Sequence, residues 1–234
     1  MNRCLFPFLP GIVLFFVLFF IPQRNFAGEE GAGRAFWLIR GSVLHFFEDN
    51  GMRSDPGPIL PAPGAGFQYI LWGPLAFEVS LDFYGYYYDY DYTLNRAVPV
   101  EPANRASYVL GPVLGLLALG RFKLGDSLTL RVYGGPAVDM RLCLLADGVA
   151  GDEIDFKSGK PLSALVEDIS AYFWGEGRWF LPVAGLGFDY RLFPRLRLGF
   201  DARVWFPAYK KWTGEDLPPA EGWRFGAGFT VSIG

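Results

Sequence analysis

The chain has 234 residues, of which 51% are hydrophobic and 18% aromatic, with 30 glycines, one histidine, two cysteines and a formal net charge of −3. This hydrophobic share excludes intrinsic disorder. A mildly acidic chain without clustered Lys and Arg also lacks the electrostatic surface that nucleic acid requires, so no nucleic-acid partner is expected.

Residues 1–27 have the pattern of a secretory signal peptide. Arg3 precedes an apolar stretch over residues 4–22, and the small residue Ala27 follows at the predicted cleavage point. A retained membrane anchor is the alternative, since about nineteen apolar residues can span a bilayer, but prolines within the stretch weaken a permanent helix. We therefore predict that residues 28–234 form the mature chain, as one β-barrel domain.

Eight later segments are predicted to be strands, because apolar residues alternate with polar or small ones at a period of two. The alternation is clearest at Leu75, Phe77, Val79, Leu81 and Phe83. For the first two segments the pattern does not show which face is buried. The predicted strands lie near residues 34–47, 66–73, 74–90, 106–122, 127–144, 177–192, 195–207 and 222–233.

The connections between these strands alternate strictly between short and long. Gly, Asp and Pro supply turn geometry in the short ones. Because every second connection of an antiparallel meander lies at the same end, all the long loops are expected at one end. The short turns lie near residues 72–74, 123–126 and 193–194, and the long loops at 48–65, 91–105, 145–176 and 208–221.

One face of the predicted strands is large and aromatic, whereas the other combines small residues with charges of both signs. A small closed barrel has little room inside, so the small and charged face suits the lumen and the apolar face suits lipid. A soluble barrel, with its charged face in water, is the alternative. The predicted charge network in the lumen comprises Glu78, Asp82, Arg131, Asp139, Arg141, Asp189, Arg197, Asp201, Arg203 and Arg224.

This architecture resembles the small eight-stranded outer-membrane β-barrels of the OmpA/OmpX and OmpW kind, without a sharp sequence motif. The resemblance implies the outer membrane of a diderm bacterium, periplasmic termini and short turns, and extracellular long loops. It also implies outer-membrane lipid and the outer-membrane assembly machinery as partners. The chain departs from these barrels at its end, where Ile233 and Gly234 stand in place of the usual terminal aromatic residue.

The sequence predicts no catalytic site, metal site or cofactor. His45 is the only histidine, and Ser42, three positions earlier, would point to the opposite strand face, so a structural role is expected for His45. Removal of the signal segment would leave Cys143 as the only thiol, which is too few for a thiolate zinc site. We therefore expect a protein that is not an enzyme.

Two segments outside this network are candidates for function. Tyr86, Tyr88, Tyr90 and Tyr92 are predicted to form a surface patch for glycans, cations or a host protein, or else an interfacial tyrosine belt. In the longest loop, apolar residues at helical spacing from Leu162 to Phe173 predict an amphipathic helix after Pro161. This helix could cap the barrel, bind a partner or form the packed core of the loop.

The expected function is that of a non-enzymatic outer-membrane barrel with a filled lumen and loops that interact with the surroundings or a host. The alternative is an OmpW-like passage for small hydrophobic molecules, suggested by apolar residues on both faces of the strand near residues 108–119. A soluble periplasmic ligand-binding barrel is the third hypothesis.

Overall fold

The computed structural model describes residues 34–48, 57–72, 74–100, 107–156, 158–214 and 220–234. The predicted signal peptide, residues 1–27, lies outside them. Within the described residues the strands are β1 (Arg34–Phe47), β2 (Ile59–Trp72), β3 (Leu75–Asp91), β4 (Arg96–Pro99), β5 (Ser107–Lys123), β6 (Leu128–Gly135), β7 (Ala137–Asp139), β8 (Leu142–Leu145), β9 (Val183–Phe193), β10 (Leu196–Trp205) and β11 (Trp223–Ile233). The helices are α1 (Leu162–Trp174) and α2 (Lys210–Thr213).

The strands close into a barrel with eight antiparallel walls. In order around the barrel the walls are β1, β2, β3, β5, β6, β9, β10 and β11. The last wall returns to the first, with a register that runs from Trp37 opposite Ile233 to Phe47 opposite Trp223. Strands β6, β7 and β8 all pair with β5 and form one wall, interrupted at Pro136 and again after β7. The predicted eight-stranded antiparallel barrel is confirmed.

The second strand is longer than predicted, because it includes Pro61 and Pro63, which lie in the predicted loop over residues 48–65. Proline has no N–H group to donate to a neighbouring strand, so it is tolerated where one edge of a strand is unpaired. Before Gly64, β2 pairs with β1 and not with β3, so the prolines lie where β2 has such an edge. The predicted loop over residues 91–105 likewise contains an additional strand, β4, which pairs with the end of β3.

The outward face of the barrel is apolar. In the described wall strands, no Asp, Glu, Lys or Arg occupies an outward position except Asp89 and Asp91, at the end of β3. Water-soluble monomers rarely expose apolar patches beyond a few hundred Å², whereas here exposed apolar side chains occur around the whole wall. They include Ile39, Val43, Ile59, Leu116, Val132, Leu186, Phe200, Phe225 and Phe229.

The connections at the two ends differ in length. Along the sequence, the bounds of the wall strands leave residues 73–74, 124–127 and 194–195 for the short connections and residues 48–58, 92–106, 146–182 and 206–222 for the long ones. Within the described part of the chain, neither helix has the length and apolar character needed to cross a bilayer.

The predicted amphipathic helix is α1, in the longest loop. Pro161 precedes its first turn, and the chain leaves the helical conformation at Gly175. Its buried face comprises Leu162, Leu165, Ile169 and Phe173. These side chains pack on β3, β4 and β5 through Tyr88, Ala97 and Val109. The helix therefore lies over the inner wall surface at the long-loop end.

Candidate functional site

A cluster of buried ion pairs fills the middle of the lumen; we call it the central cluster, with Arg40, Glu78, Asp82, Arg131, Asp189, Asp201 and Arg203 as its members. Arg40, on β1, contacts carboxylates of two other walls. Its Nη2 and Nη1 lie 2.9 Å from Glu78 Oε1 and 2.9 Å from Asp82 Oδ1, and its Nε lies 3.3 Å from Asp201 Oδ2. One guanidinium therefore links β1, β3 and β10.

Arg203 of β10 crosses the full width of the lumen. Its Nη2 lies 3.1 Å from Glu78 Oε1, and its Nη1 lies 3.3 Å from Asp82 Oδ2, both on β3. Around the barrel, three walls separate β3 from β10 in either direction, so these two walls are opposite one another. The contact therefore requires charged side chains to meet at the barrel axis.

Arg131 of β6 completes the cluster from a fourth direction. Its Nε lies 3.0 Å from Asp189 Oδ1 on the neighbouring β9. Its Nη atoms lie 3.8 Å from both Glu78 Oε2 and Asp201 Oδ2. Because β1 and β6 are also opposite walls, Arg40 and Arg131 approach the same two carboxylates from opposite sides.

The central cluster is closed to water. Arg131 is 0% exposed and Glu78 is 1% exposed, and the other members are also buried. Burying charges is costly unless several partners compensate for the lost hydration, and here Glu78 and Asp201 each meet three guanidinium groups. A solute would have to displace these ion pairs to pass.

Glycine makes room for these side chains. A Cβ added at Gly187 would come 2.9 Å from Asp201 Cβ, and one added at Gly199 would come 2.5 Å from Asp189 Oδ1. Real Cβ atoms essentially never approach other atoms below 3.0 Å. The inward glycines of β9 and β10 are therefore part of what accommodates the charges.

A second cluster, the upper cluster, lies at the long-loop end of the lumen and comprises Glu48, Asp139, Arg141 and Arg224. Arg224 Nη2 lies 2.6 Å from Asp139 Oδ2, and Arg141 Nε lies 2.8 Å from the same oxygen. Arg141 Nη2 also lies 2.7 Å from Glu48 Oε1. Burial opposes the ionisation of Glu48, just beyond β1, but Arg141 and Arg224 outweigh it and hold the pKa of Glu48 below its usual value.

The upper cluster is in contact with α1, which lies over this end of the lumen. The Arg141 guanidinium lies 3.9 Å from the centre of the Phe173 ring, and Trp174 Nε1 donates a hydrogen bond to the Arg141 carbonyl at 3.2 Å. The Tyr88 hydroxyl donates to Glu48 Oε2 at 2.7 Å, and its ring meets the Phe173 ring edge-on. The helix is therefore anchored to the barrel interior by both polar and apolar contacts.

The structure divides the residues of the predicted charge network among three places. Six lie in the central cluster and three in the upper cluster, whereas Arg197 lies near the short turns, 4.1 Å above the Phe36 ring. Sequence reasoning missed Arg40 and Glu48. Arg40 stands among apolar residues on both faces of β1, and Glu48 follows the last residue of that strand.

The predicted tyrosine patch needs a correction, because Tyr88 is 0% exposed. The inward alternation of β3 continues past the membrane-facing part, so Tyr86 and Tyr88 pack beneath α1. Tyr90 is half-buried and donates to Asn95 Oδ1 at 2.8 Å. Tyr92 alone is exposed, and its hydroxyl donates to Asp168 Oδ2 at 2.9 Å.

His45 does not form a catalytic arrangement with Ser42. On the outward face, the centres of the His45 and Phe47 rings lie 4.4 Å apart. The Ser42 hydroxyl instead donates a hydrogen bond to the Ala62 carbonyl at 2.7 Å. Among the described residues, no group of three or more His, Cys, Asp or Glu side chains is arranged to hold a metal ion.

Three solved structures are similar to this fold at low sequence identity. Neisserial surface protein A (NspA) is 12% identical, with a TM-score of 0.48, and the match covers 88% of this chain and 99% of that one. Ail of Yersinia pestis, in complex with the heparin analogue sucrose octasulfate, is 9% identical, with a TM-score of 0.45 and coverage of 86% and 97%. The outer membrane protein OprG from Pseudomonas aeruginosa is 12% identical, with a TM-score of 0.46 and coverage of 87% and 98%.

No protein-family model matches the chain, and no curated protein sequence matches it. The barrel itself is established by its own strand pairing.

Proposed function

We propose that this chain is an integral outer-membrane barrel without enzymatic activity, whose lumen is closed and whose long loops interact with the surroundings of the cell or with a host. The central cluster carries the proposal: ion pairs cross the lumen between opposite walls, and their side chains are inaccessible to water. The barrel would therefore serve as a scaffold for its loops and would not conduct.

The outward face supports the membrane location, because in the described wall strands its only charges are Asp89 and Asp91, at the end of β3. A lipid-facing Arg or Lys near the bilayer midplane costs about 2–4 kcal/mol in a barrel, and the inward charges of this chain avoid that cost. A soluble barrel would place the same charges in water and the apolar side chains inside. In our proposal the short turns face the periplasm and the long loops face outward from the cell, as the architecture of small outer-membrane barrels implies.

Passage of small hydrophobic molecules is the competing function. It would use the inward apolar residues of β5 and the chain that leads into β9. Val113, Leu117, Leu181 and Val183 are all buried and belong to one packed cluster. A hydrophobic solute would therefore have to repack this cluster, and for that reason we favour the closed barrel.

Planar-bilayer recording of the refolded chain, together with uptake of a hydrophobic dye by cells that express it, separates these functions. The closed barrel predicts no conductance steps and dye uptake at the background level. Reproducible conductance steps would contradict the closed lumen, whereas dye uptake without ion conductance would favour the hydrophobic passage. The matched pair of variants is Arg203→Ser, which loosens the central cluster, and Arg195→Ser, which changes an exposed arginine of a short turn.

A further inference from the structure

The short-turn end of the lumen contains a cavity of about 390 Å³, which borders the central cluster at Asp189 and differs from both charge clusters because positive charge is in excess there. Cationic side chains from four walls line it. They are Arg34 on β1, Arg121 and Lys123 on β5, Arg191 on β9 and Arg197 on β10. The acidic residues among the described part of its lining are Asp126 and Asp189.

The acidic residue that comes from the barrel wall, Asp189, forms its ion pair outside this group of arginines: its Oδ1 lies 3.0 Å from Arg131 Nε, without the geometry of a hydrogen bond. Among the described residues, Arg34, Arg121 and Arg197 form no ion pair with any carboxylate. Arg121 Nε and Arg197 Nη1 are moreover buried without a hydrogen-bond partner. A buried donor without a partner is costly, so these nitrogen atoms indicate an acceptor that the described residues do not provide.

The same three arginines converge on one ring. The guanidinium carbons of Arg34, Arg121 and Arg197 lie 5.8, 5.9 and 4.1 Å from the centre of the Phe36 ring, which is fully buried. The ring face provides some attraction for cations, but it cannot neutralise three charges. Like charges gathered in a partly dehydrated site repel one another more strongly than in water.

We propose that this cavity binds a phosphate-bearing anion. A guanidinium group matches phosphate oxygens with two parallel hydrogen bonds, and a phosphate group carries up to two negative charges. One carboxylate would compensate only one of the three unpaired arginines, so a multiply charged anion fits better. The phosphate belongs either to a small soluble ligand from the aqueous compartment at this end or to a membrane phospholipid, whose phosphodiester carries one negative charge but offers two oxygens to the guanidinium groups.

The test uses the full chain refolded in a maltoside detergent, which brings no phosphate. Inorganic phosphate and pyrophosphate are titrated by calorimetry, and phospholipid is supplied in nanodiscs of phosphatidylglycerol or of a phosphate-free glycolipid. The key variant is R121Q/R197Q, and its control is R195Q, which removes an exposed arginine of a short turn outside the cavity lining.

We expect pyrophosphate to bind to the unaltered chain and to R195Q, with a loss of affinity of about tenfold or more in R121Q/R197Q. If only phosphatidylglycerol raises the thermal midpoint, and the double variant abolishes that rise, the phosphate source is the lipid headgroup. Equal binding by R121Q/R197Q and R195Q, or binding of none of these probes, would overturn the proposal.

Two further measurements keep the test independent of folding defects. Without an anion, R121Q/R197Q should be at least as heat-stable as the unaltered chain, because it relieves repulsion between like charges. Arg197→Lys keeps the charge but loses the planar guanidinium group that can bind phosphate with two parallel hydrogen bonds. This variant should therefore bind pyrophosphate with an affinity between those of the unaltered chain and the double variant. Full affinity in Arg197→Lys together with a less stable double variant would contradict the assigned geometry.

Discussion

Replacement of Arg40 by methionine tests the central cluster most sharply. Arg40 contacts three carboxylates at 2.9, 2.9 and 3.3 Å, from β3 and β10. Methionine keeps the length of an unbranched side chain but removes the charge and all donors. Glu78, Asp82 and Asp201 would then share the two remaining arginines of the cluster with Asp189.

The expected loss of stability is about 3–5 kcal/mol, the usual cost of removing one partner from a buried ion pair. The three contacts do not simply add, because the carboxylates also retain Arg131 or Arg203. The second change Glu78→Gln removes a carboxylate that has lost its shortest partner. The double variant should therefore be more stable than Arg40→Met alone, by about 1 kcal/mol, a usual size for coupling between contacting residues.

The assay is equilibrium unfolding in urea from lipid vesicles, followed by tryptophan fluorescence and by heat-modifiable gel migration. Arg195→Met is the control, because Arg195 is exposed in a short turn and its change should cost less than about 0.5 kcal/mol. A cost below about 1 kcal/mol for Arg40→Met would refute the reasoning about a closed ion-pair cluster. A double variant less stable than Arg40→Met would also refute it.

Three other changes test the remaining parts of the structure. Phe229→Arg places a charge on the outward face, where 72% of the side chain is exposed, and should destabilise the vesicle-bound barrel by about 2–4 kcal/mol in urea unfolding. Ile169→Asp should detach α1, so that protease cuts the loop over residues 146–182 while heat-modifiable migration of the barrel persists. Because the pKa of Glu48 is lowered in the folded state, ionised Glu48 stabilises the fold at pH values above its ordinary pKa of 4.5. This stabilisation is lost as the pH falls through the lower pKa of the folded state. The same loop should therefore become protease-sensitive in acid, and Glu48→Gln should make its protease sensitivity less dependent on pH.

Most of the wall could be predicted from the sequence, because a half-buried strand fixes which residues share a face. In β3, β10 and β11 the regular alternation puts the charged residues of the membrane-facing part on the face opposite the large apolar residues. The inward face of β1 could not be predicted in the same way. Its inward Phe36, Leu38, Leu44 and Phe46 are as apolar as its outward residues, so Arg40 stood out on neither face.

The loop end was less predictable, because long-range packing decides exposure there. Tyr88 and Tyr92 have the same local sequence character, yet Tyr88 lies beneath α1 and Tyr92 lies outside it. Local spacing predicted that α1 forms, but not that it packs on β3 and β4. The convergence of Arg34, Arg121 and Arg197 on Phe36 also could not be predicted, since it depends on three walls meeting around one ring.

We expect the apolar outer face of the barrel to lie in lipid. This location is tested by attaching a fluorophore to single cysteines in a Cys143→Ser background, at Ile39→Cys and Leu116→Cys on the wall and at Glu167→Cys on α1. Brominated lipid chains should quench both wall sites strongly and the α1 site weakly, whereas aqueous iodide should quench only the α1 site. Wall sites that iodide reaches and brominated lipid does not would contradict a membrane-embedded barrel.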